Sequence, residues 1–238
     1  MKLFIMKNYD EMSRKASDII KEYINTKPNL VLGLATGSTP EGTYEILKKE
    51  ANFKEVITFN LDEYIGISEN HPLSYHFYMY KNLFNHVDIN KKNIHIPSSK
   101  GDIEKNSKDY DFSIYKKGGI DLQLLGLGEN AHIGFNEPGS PEDGSTGSVQ
   151  LTNSTINANS RFFESKSQVP TKAISMGIGT IMKAKSILLI ASGLKKAQAV
   201  KNMIEGNIDI NVPASFLQKH SNVNIVIDED AASFLKKK

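Results

Sequence analysis

Apolar and polar positions follow two rhythms along this chain. In "DEMSRKASDIIKEYI" the apolar residues recur at helical spacing. "NLVLGLA" is a short β-type run that breaks off in "TGSTPEG", and "TPEGTYEILKKEA" is helical again. "VITFNL" predicts a strand that "DEYIG" breaks. "HPLSYHFYMYKNLF" alternates too badly for a strand and predicts a helix. "GIDLQLLGLG" and "KSILLIAS" predict strands, the second followed by Gly193 and the helical "KKAQAVKNMIEG". "VNIVID" closes the pattern as a last strand. Continuous apolar strands separated by helices predict an α/β fold with a doubly wound, mostly parallel sheet and helices on both faces. Residues 139–168 are rich in Ser, Gly, Asn and Thr and have little periodicity, so they read as a long lid-like excursion. Nothing resembles a linker or a repeat, and the expectation is a single domain over residues 1–238.

Composition narrows the classes of function. Hydrophobic residues at 39% and charged residues at 24% are the balance of a globular protein with a sizeable core. A net charge of +2 offers neither a nucleic-acid footprint nor a polybasic membrane patch. The terminal "KKK" reads as a solvated tail. The chain has no cysteine, which excludes disulfides, thiol nucleophiles and cysteine-ligated zinc and is compatible with the cytoplasm. "MKLFIMKNYDEM" turns polar too soon for a signal peptide, and no apolar run approaches the ~20 residues of a membrane span. The expected partner is therefore a small molecule, not a nucleic acid or a membrane.

Ligands of a doubly wound sheet bind beyond the carboxyl ends of its strands. That rule selects "ATGSTPEG", "LDEY", "GENAHIGFNEPG" and "SGLKK". In the first, Gly37 allows a tight turn, Ser38 or Thr39 can cap the following helix, and Pro40 suits its first turn. Such a helix N-terminus attracts phosphate, although a plain helix cap would need the same residues. It is not a Walker A loop, because no Gly-Lys-Ser/Thr follows. "GLGENA" imitates a dinucleotide fingerprint, but "HIGFNEPG" after it cannot open a helix, so no nicotinamide cofactor is expected. Asp62 and Glu63 follow a strand directly, and adjacent side chains on extended backbone diverge, so one of them faces a pocket. Acids at a turn are often merely solvated. His132 and Glu137 form a stronger signal, since a carboxylate beside a histidine fixes its tautomer and suits it to proton transfer. His71, His76, His86, His95 and His220 have no metal-ligand spacing and read as surface or packing residues, so no metal site is expected.

Seven segments, taken in order, resemble the glucosamine-6-phosphate deaminases: "GLATGSTPEGTY", "FNLDEYIG", "HPLSYHFYM", "GLGENAHIGFNEPGS", "NANSRFF", "VPTKAISMGIGTIMKAK" and "VPASFLQKHSNVNIVID". The resemblance spans nearly the whole chain. It implies a Rossmann-like fold, shared with 6-phosphogluconolactonases and sugar-phosphate sensor domains. The implied reaction takes glucosamine 6-phosphate and water to fructose 6-phosphate and ammonia, without a cofactor. It also implies roles. His132 would open the sugar ring, Glu137 would tune it, and Asp62 would carry a proton from C2 to C1. Gly37, Ser38 and Thr39 would hold the phosphate together with Arg161 and Lys196.

Two departures from the family pattern matter. Asn130 stands where some members carry an aspartate, and an amide cannot share proton transfer. "GSPEDGSTGSVQL" lacks the basic residues that allosteric, hexameric members place there, which favours an unregulated monomer or small homo-oligomer. The same stretch leaves galactosamine 6-phosphate open as the substrate. A lactonase would need no C2 base, and a sensor would be expected to follow a DNA-binding helix-turn-helix.

Overall fold

Val31–Leu34 (β2) and Ile187–Ala191 (β9) are buried at every residue, as strands covered on both faces must be. The computed structural model of the chain describes residues 1–152, 156 and 169–236. These two strands lie inside a seven-stranded sheet whose neighbours all pair in parallel. The other members are β1 (Lys2–Met6), β3 (Ile57–Asn60), β5 (Ile94–His95), β6 (Leu122–Gly126) and β10 (Val223–Asp228), in the order β1-β10-β9-β6-β2-β3-β5. From β2 the chain winds one way through β3 and β5. It then returns to β6 on the other side of β2 and continues to β9 and β10. The strand order therefore reverses between β2 and β6, and a crevice opens at their carboxyl ends.

Helices supply the covering layers. In α1 (Tyr9–Thr26) Met12, Ala16, Ile19, Ile20 and Ile24 form one buried stripe, and the Asn8 side chain accepts from the Glu11 amide at 3.0 Å as its cap. α2 (Glu41–Glu50), α3 (Tyr75–Asn82) and α4 (Ile103–Lys116) follow β2, β4 (Asp62–Ile65) and β5. α5 (Ile178–Met182), α6 (Ala197–Glu205) and α7 (Glu229–Ala232) complete the set. None of the described helices is long and apolar enough to cross a membrane.

The expectation for "DEYIG" needs correction. It does not end the strand in a turn. The chain leaves the main sheet at Leu61 and resumes at once as β4 (Asp62–Ile65), an edge strand of a second, antiparallel sheet with β8 (Lys172–Ser175) and β7 (Gly147–Gln150), in the order β4-β8-β7. Backbone pairing with β8, more than a hundred residues away, overrides the two acids at the start of the segment. Part of the supposed excursion is thus strand β7, and residues 153–155 and 157–168 of it lie outside the described residues. The small sheet carries its own apolar cluster of Tyr64, Phe135, Leu151 and Ala173.

Candidate active site

The loop after β2 lies at the point where the strand order reverses. Gly37 there has φ +94°, a conformation that favours glycine. The capping expectation is corrected: Pro40 occupies the cap position of α2 in helical conformation, and no side chain caps the helix. Instead the Tyr9 hydroxyl accepts from the Gly42 amide at 2.8 Å. The side chains of Ser38 and Thr39 are thereby left to the cavity that both residues line.

Asp62 and Glu63 diverge, as extended backbone requires. Glu63 turns away from the cavity and accepts from the amides of Tyr64, Tyr75 and His76 at 2.8, 2.9 and 2.8 Å. Two of these are orphan donors at the N-terminus of α3, so this carboxylate works as a charged helix cap. Ser74 adds a third bond, from the Phe77 amide at 2.9 Å. Asp62 lines the cavity and is 6% exposed. Burial pushes its carboxyl up to about 8, and the Glu63 charge adds to the shift.

That value has a consequence for stability. The folded pKa stands well above that of an ordinary aspartate, so the folded chain holds a proton that the unfolded chain releases. The stabilisation is complete below about pH 4 and is lost as pH rises toward about 8. Asn at this position carries no such charge. The Tm of the wild type is therefore expected to fall relative to that of Asp62→Asn between roughly pH 5 and 8. A Tm difference independent of pH would show that Asp62 titrates as an ordinary carboxylate.

The loop after β6 forms turns, not a helix. Its backbone is held in an uncommon shape. Ala131 has φ +66°, a conformation costly for a residue with a Cβ. Its carbonyl accepts from the Ala214 amide at 2.9 Å, which anchors the loop to the 3-10 turn Pro213–Lys219. The Gly128 amide closes the loop on the His132 carbonyl at 2.9 Å. Within it, Asn130 Nδ2 donates to Glu137 Oε2 at 2.6 Å, and Asn130 Oδ1 accepts from the His132 amide at 3.3 Å. His132 Nδ1 stands 3.5 Å from the same Glu137 oxygen. That distance is too long for a good hydrogen bond, and among the described residues the buried Nδ1 has no hydrogen-bond partner. Such contacts tighten when substrate arrives. Asn130 therefore orients Glu137 and the loop, a structural part that needs no proton of its own.

Gly128 has a role that sequence alone did not reveal. A Cβ there would meet His132 Nδ1 at 2.4 Å and Cε1 at 2.5 Å. Gly128→Ala is expected to displace the imidazole and cut kcat by about 10- to 100-fold, within the worth of a positioned proton-transfer group. The fold should survive, since the ring borders an open cavity. Initial rates with a melting curve test this, and an unchanged kcat would free His132 from any need for that position.

Lys196 ends the turn Leu194–Lys196 that follows β9. Gly193 opens that turn at φ +88°, and its amide donates to both Asp228 carboxylate oxygens at 3.0 Å. Asp228 also accepts from Ser192 and from the Ala231 amide, so it braces the turn from the end of β10. Burial pulls the Lys196 ammonium below the usual lysine value, Glu129 opposes that shift and Lys195 reinforces it. Arg161 lies outside the described residues.

These parts surround one cavity of about 420 Å³ at the switch point. Gly37, Ser38, Thr39, Asp62, Asn130, His132 and Lys196 all line it, whereas Glu137 acts from behind His132 and Asn130. Tyr64, Tyr75, Phe135 and Glu129 line it too and were not expected. Tyr75 and Phe135 stack with ring centroids 5.9 Å apart, forming an apolar wall beside Asp62. Two of the other histidines pack against rings: His95 stacks on Phe59 at 4.4 Å and His76 on Tyr80 at 4.6 Å.

An open α/β sheet that gathers a glycine turn before a helix, a buried carboxylate and a histidine around one cavity at its switch point has the form of an enzyme site for a small molecule. The chain belongs to the family of glucosamine-6-phosphate isomerases and 6-phosphogluconolactonases, whose model matches residues 7–226. It is 54% identical over 241 residues to the glucosamine-6-phosphate deaminase of Thermoanaerobacter pseudethanolicus, covering 99% of this chain and 95% of that protein. It is 53% identical over 240 residues to the deaminase of Mycoplasma mycoides subsp. mycoides SC, covering 99% and 98%. A solved structure described as a monomeric glucosamine-6-phosphate deaminase superposes with a TM-score of 0.95 at 45% identity, covering 98% of this chain and 100% of that one. The 6-phosphogluconolactonase of Trypanosoma cruzi shares the fold at 19% identity, with a TM-score of 0.79 over 99% of this chain and 97% of its own.

Proposed function

We propose that this chain is a cytoplasmic, single-domain glucosamine-6-phosphate deaminase, converting glucosamine 6-phosphate and water to fructose 6-phosphate and ammonia. The observation that carries the proposal is the pairing, in one cavity, of a buried carboxylate at Asp62 with the His132–Glu137 pair. The reaction needs two separate proton transfers, and these groups supply them. His132 moves a proton between O1 and the ring oxygen and so opens the sugar, with Glu137 stabilising the charged imidazole. Asp62 takes the C2 proton while the His132 imidazolium gives one to O1, leaving an enolamine. The same carboxyl returns its proton to C1, and the ketimine at C2 is hydrolysed to the ketone and ammonia. A single carboxylate suits this step because one oxygen reaches both carbons in turn. Gly37, Ser38, Thr39, Lys196 and Arg161 bind the phosphate. We take the enzyme to be a monomer or small homo-oligomer without a separate effector site, since residues 139–151 hold no Lys or Arg and Glu142 is paired with Lys219 at 2.6 Å.

Incubation with glucosamine 6-phosphate should release ammonia and fructose 6-phosphate in equal amounts. A faster release from galactosamine 6-phosphate would reassign the epimer. Hydrolysis of 6-phosphogluconolactone with no ammonia from either amino sugar would replace the deaminase reading by the lactonase one.

A further inference from the structure

A phosphate held by backbone amides needs those amides aimed at it, and within the loop after β2 itself only a long bond from the Glu41 amide to the Ser38 carbonyl, at 3.4 Å, helps to aim them. No side chain caps α2. Gly37 stands at φ +94°, and no backbone donor among the described residues holds its carbonyl. A peptide free to rotate there could present its carbonyl to the phosphate, which would repel it.

Two phenols close this gap from outside the cavity. Tyr78, on α3, donates its hydroxyl to the Gly37 carbonyl at 2.6 Å. Tyr9, on α1, donates to the Ser38 carbonyl at 3.1 Å while accepting from the Gly42 amide at 2.8 Å. In a planar trans peptide the C=O and the following N–H point in opposite directions. Tying back the carbonyls of Gly37 and Ser38 therefore fixes the N–H groups of Ser38 and Thr39 on the other side. Neither N–H donates to an acceptor among the described residues, and both residues line the cavity.

We propose that Tyr78 and Tyr9 are positioning residues of the anion cradle: they hold the carbonyls of Gly37 and Ser38 away from the cavity and so present the Ser38 and Thr39 amides to the phosphate of the substrate. The inference rests on the reading of this cavity as a sugar-phosphate site. Burial first, then the neighbouring Tyr44, Glu41 and Tyr9, raise the Tyr78 phenol above its usual range, so it remains a donor at any working pH. Tyr9 and Tyr78 come from different helices, and each grips a different peptide, so they are separable.

The test uses Tyr78→Phe, Tyr9→Phe and the double variant of the full chain. Each keeps its ring and loses only the hydroxyl. Initial rates give KM and kcat for glucosamine 6-phosphate, calorimetric titration gives the affinity for inorganic phosphate, and a melting curve gives Tm. Each single variant is expected to raise KM and the phosphate Kd together by about 5-fold, the size of one lost hydrogen bond. The double variant should raise both further, with kcat within about twofold of wild type throughout. A fall in Tm with unchanged phosphate affinity would make the phenols mere supports of the fold and overturn the proposal. A KM that moves without the phosphate Kd would overturn it equally. If either variant does not fold, the other carries the test on its own helix. Wild-type protein that binds phosphate but releases no ammonia would refute the deaminase reading alone, and the phosphate titrations would still decide whether the phenols aim the loop.

Discussion

Asp62→Asn is expected to keep binding glucosamine 6-phosphate and to lose about 10²–10⁴-fold in turnover, the usual worth of a general base. The substitution is nearly isosteric, so the wall formed by Tyr75 and Phe135 keeps its shape. What disappears is the ability to accept a proton. The setting of Asp62 makes that ability its main distinction. Its neighbour Glu63 is engaged by three amides, whereas among the described residues no hydrogen bond ties the Asp62 carboxylate. A buried, untied carboxylate at about 8 is basic enough to take a proton from carbon and acidic enough to give it back. The same carboxyl must lose its own proton before it can act, so turnover should also rise with pH on the acid side. The product provides a second readout. In deuterated water the wild type should place some deuterium at C1 of fructose 6-phosphate through exchange on the carboxyl, and the variant should place none. Near-normal turnover in Asp62→Asn would remove this residue from the chemistry.

The main sheet was legible in the sequence because its inner strands are buried on both faces. "VLGL" and "ILLIA" carry no polar residue to obscure them. β1 was not legible, for the opposite reason: as an edge strand it leaves Leu3 and Ile5 41% and 50% exposed, and its short run shows neither period. The two residues of β5 are too few for any pattern. The small sheet escaped notice because its strands are made by pairing across long stretches of chain. β4 begins with two acids, which local propensity reads as a break. The site divides in the same way. Gly37, Asp62 and the His132 loop follow strands directly, so the rule that ligands bind at carboxyl ends points to them. Tyr64, Tyr75 and Phe135 look like core aromatics, and only the fold shows that they face a cavity. Gly128 looked like part of a nucleotide fingerprint. Its purpose, making room for the His132 ring, depends on the left-handed turn at Ala131, which sequence pattern does not reveal.

Removing the phosphate from the substrate is expected to lower kcat/KM by about 10³–10⁶-fold. The cradle supplies charge-assisted contacts that a neutral hydroxymethyl group cannot use: the Lys196 ammonium and the free amides of Ser38 and Thr39. Hydrogen bonds to charged groups contribute about 1.5–3 kcal/mol each, so three of them amount to about 4.5–9 kcal/mol, a factor of about 10³–10⁶ at ~1.4 kcal/mol per factor of ten. The loss should not fall on KM alone. The phosphate sits at the far end of the sugar from C1 and C2, and binding there holds the reacting carbons against Asp62. Free glucosamine can enter the cavity but is not held in register, so its kcat should fall as well. Lys196→Ala separates the two effects. It should raise KM for the phosphorylated sugar more than it lowers kcat, and leave the residual rate on glucosamine unchanged, because that substrate never used the ammonium. The coupling between phosphate and Lys196 is then read from the four rates as a double-mutant cycle. Equal efficiency on glucosamine and glucosamine 6-phosphate would mean that the loop after β2 and Lys196 bind no phosphate and serve the fold alone.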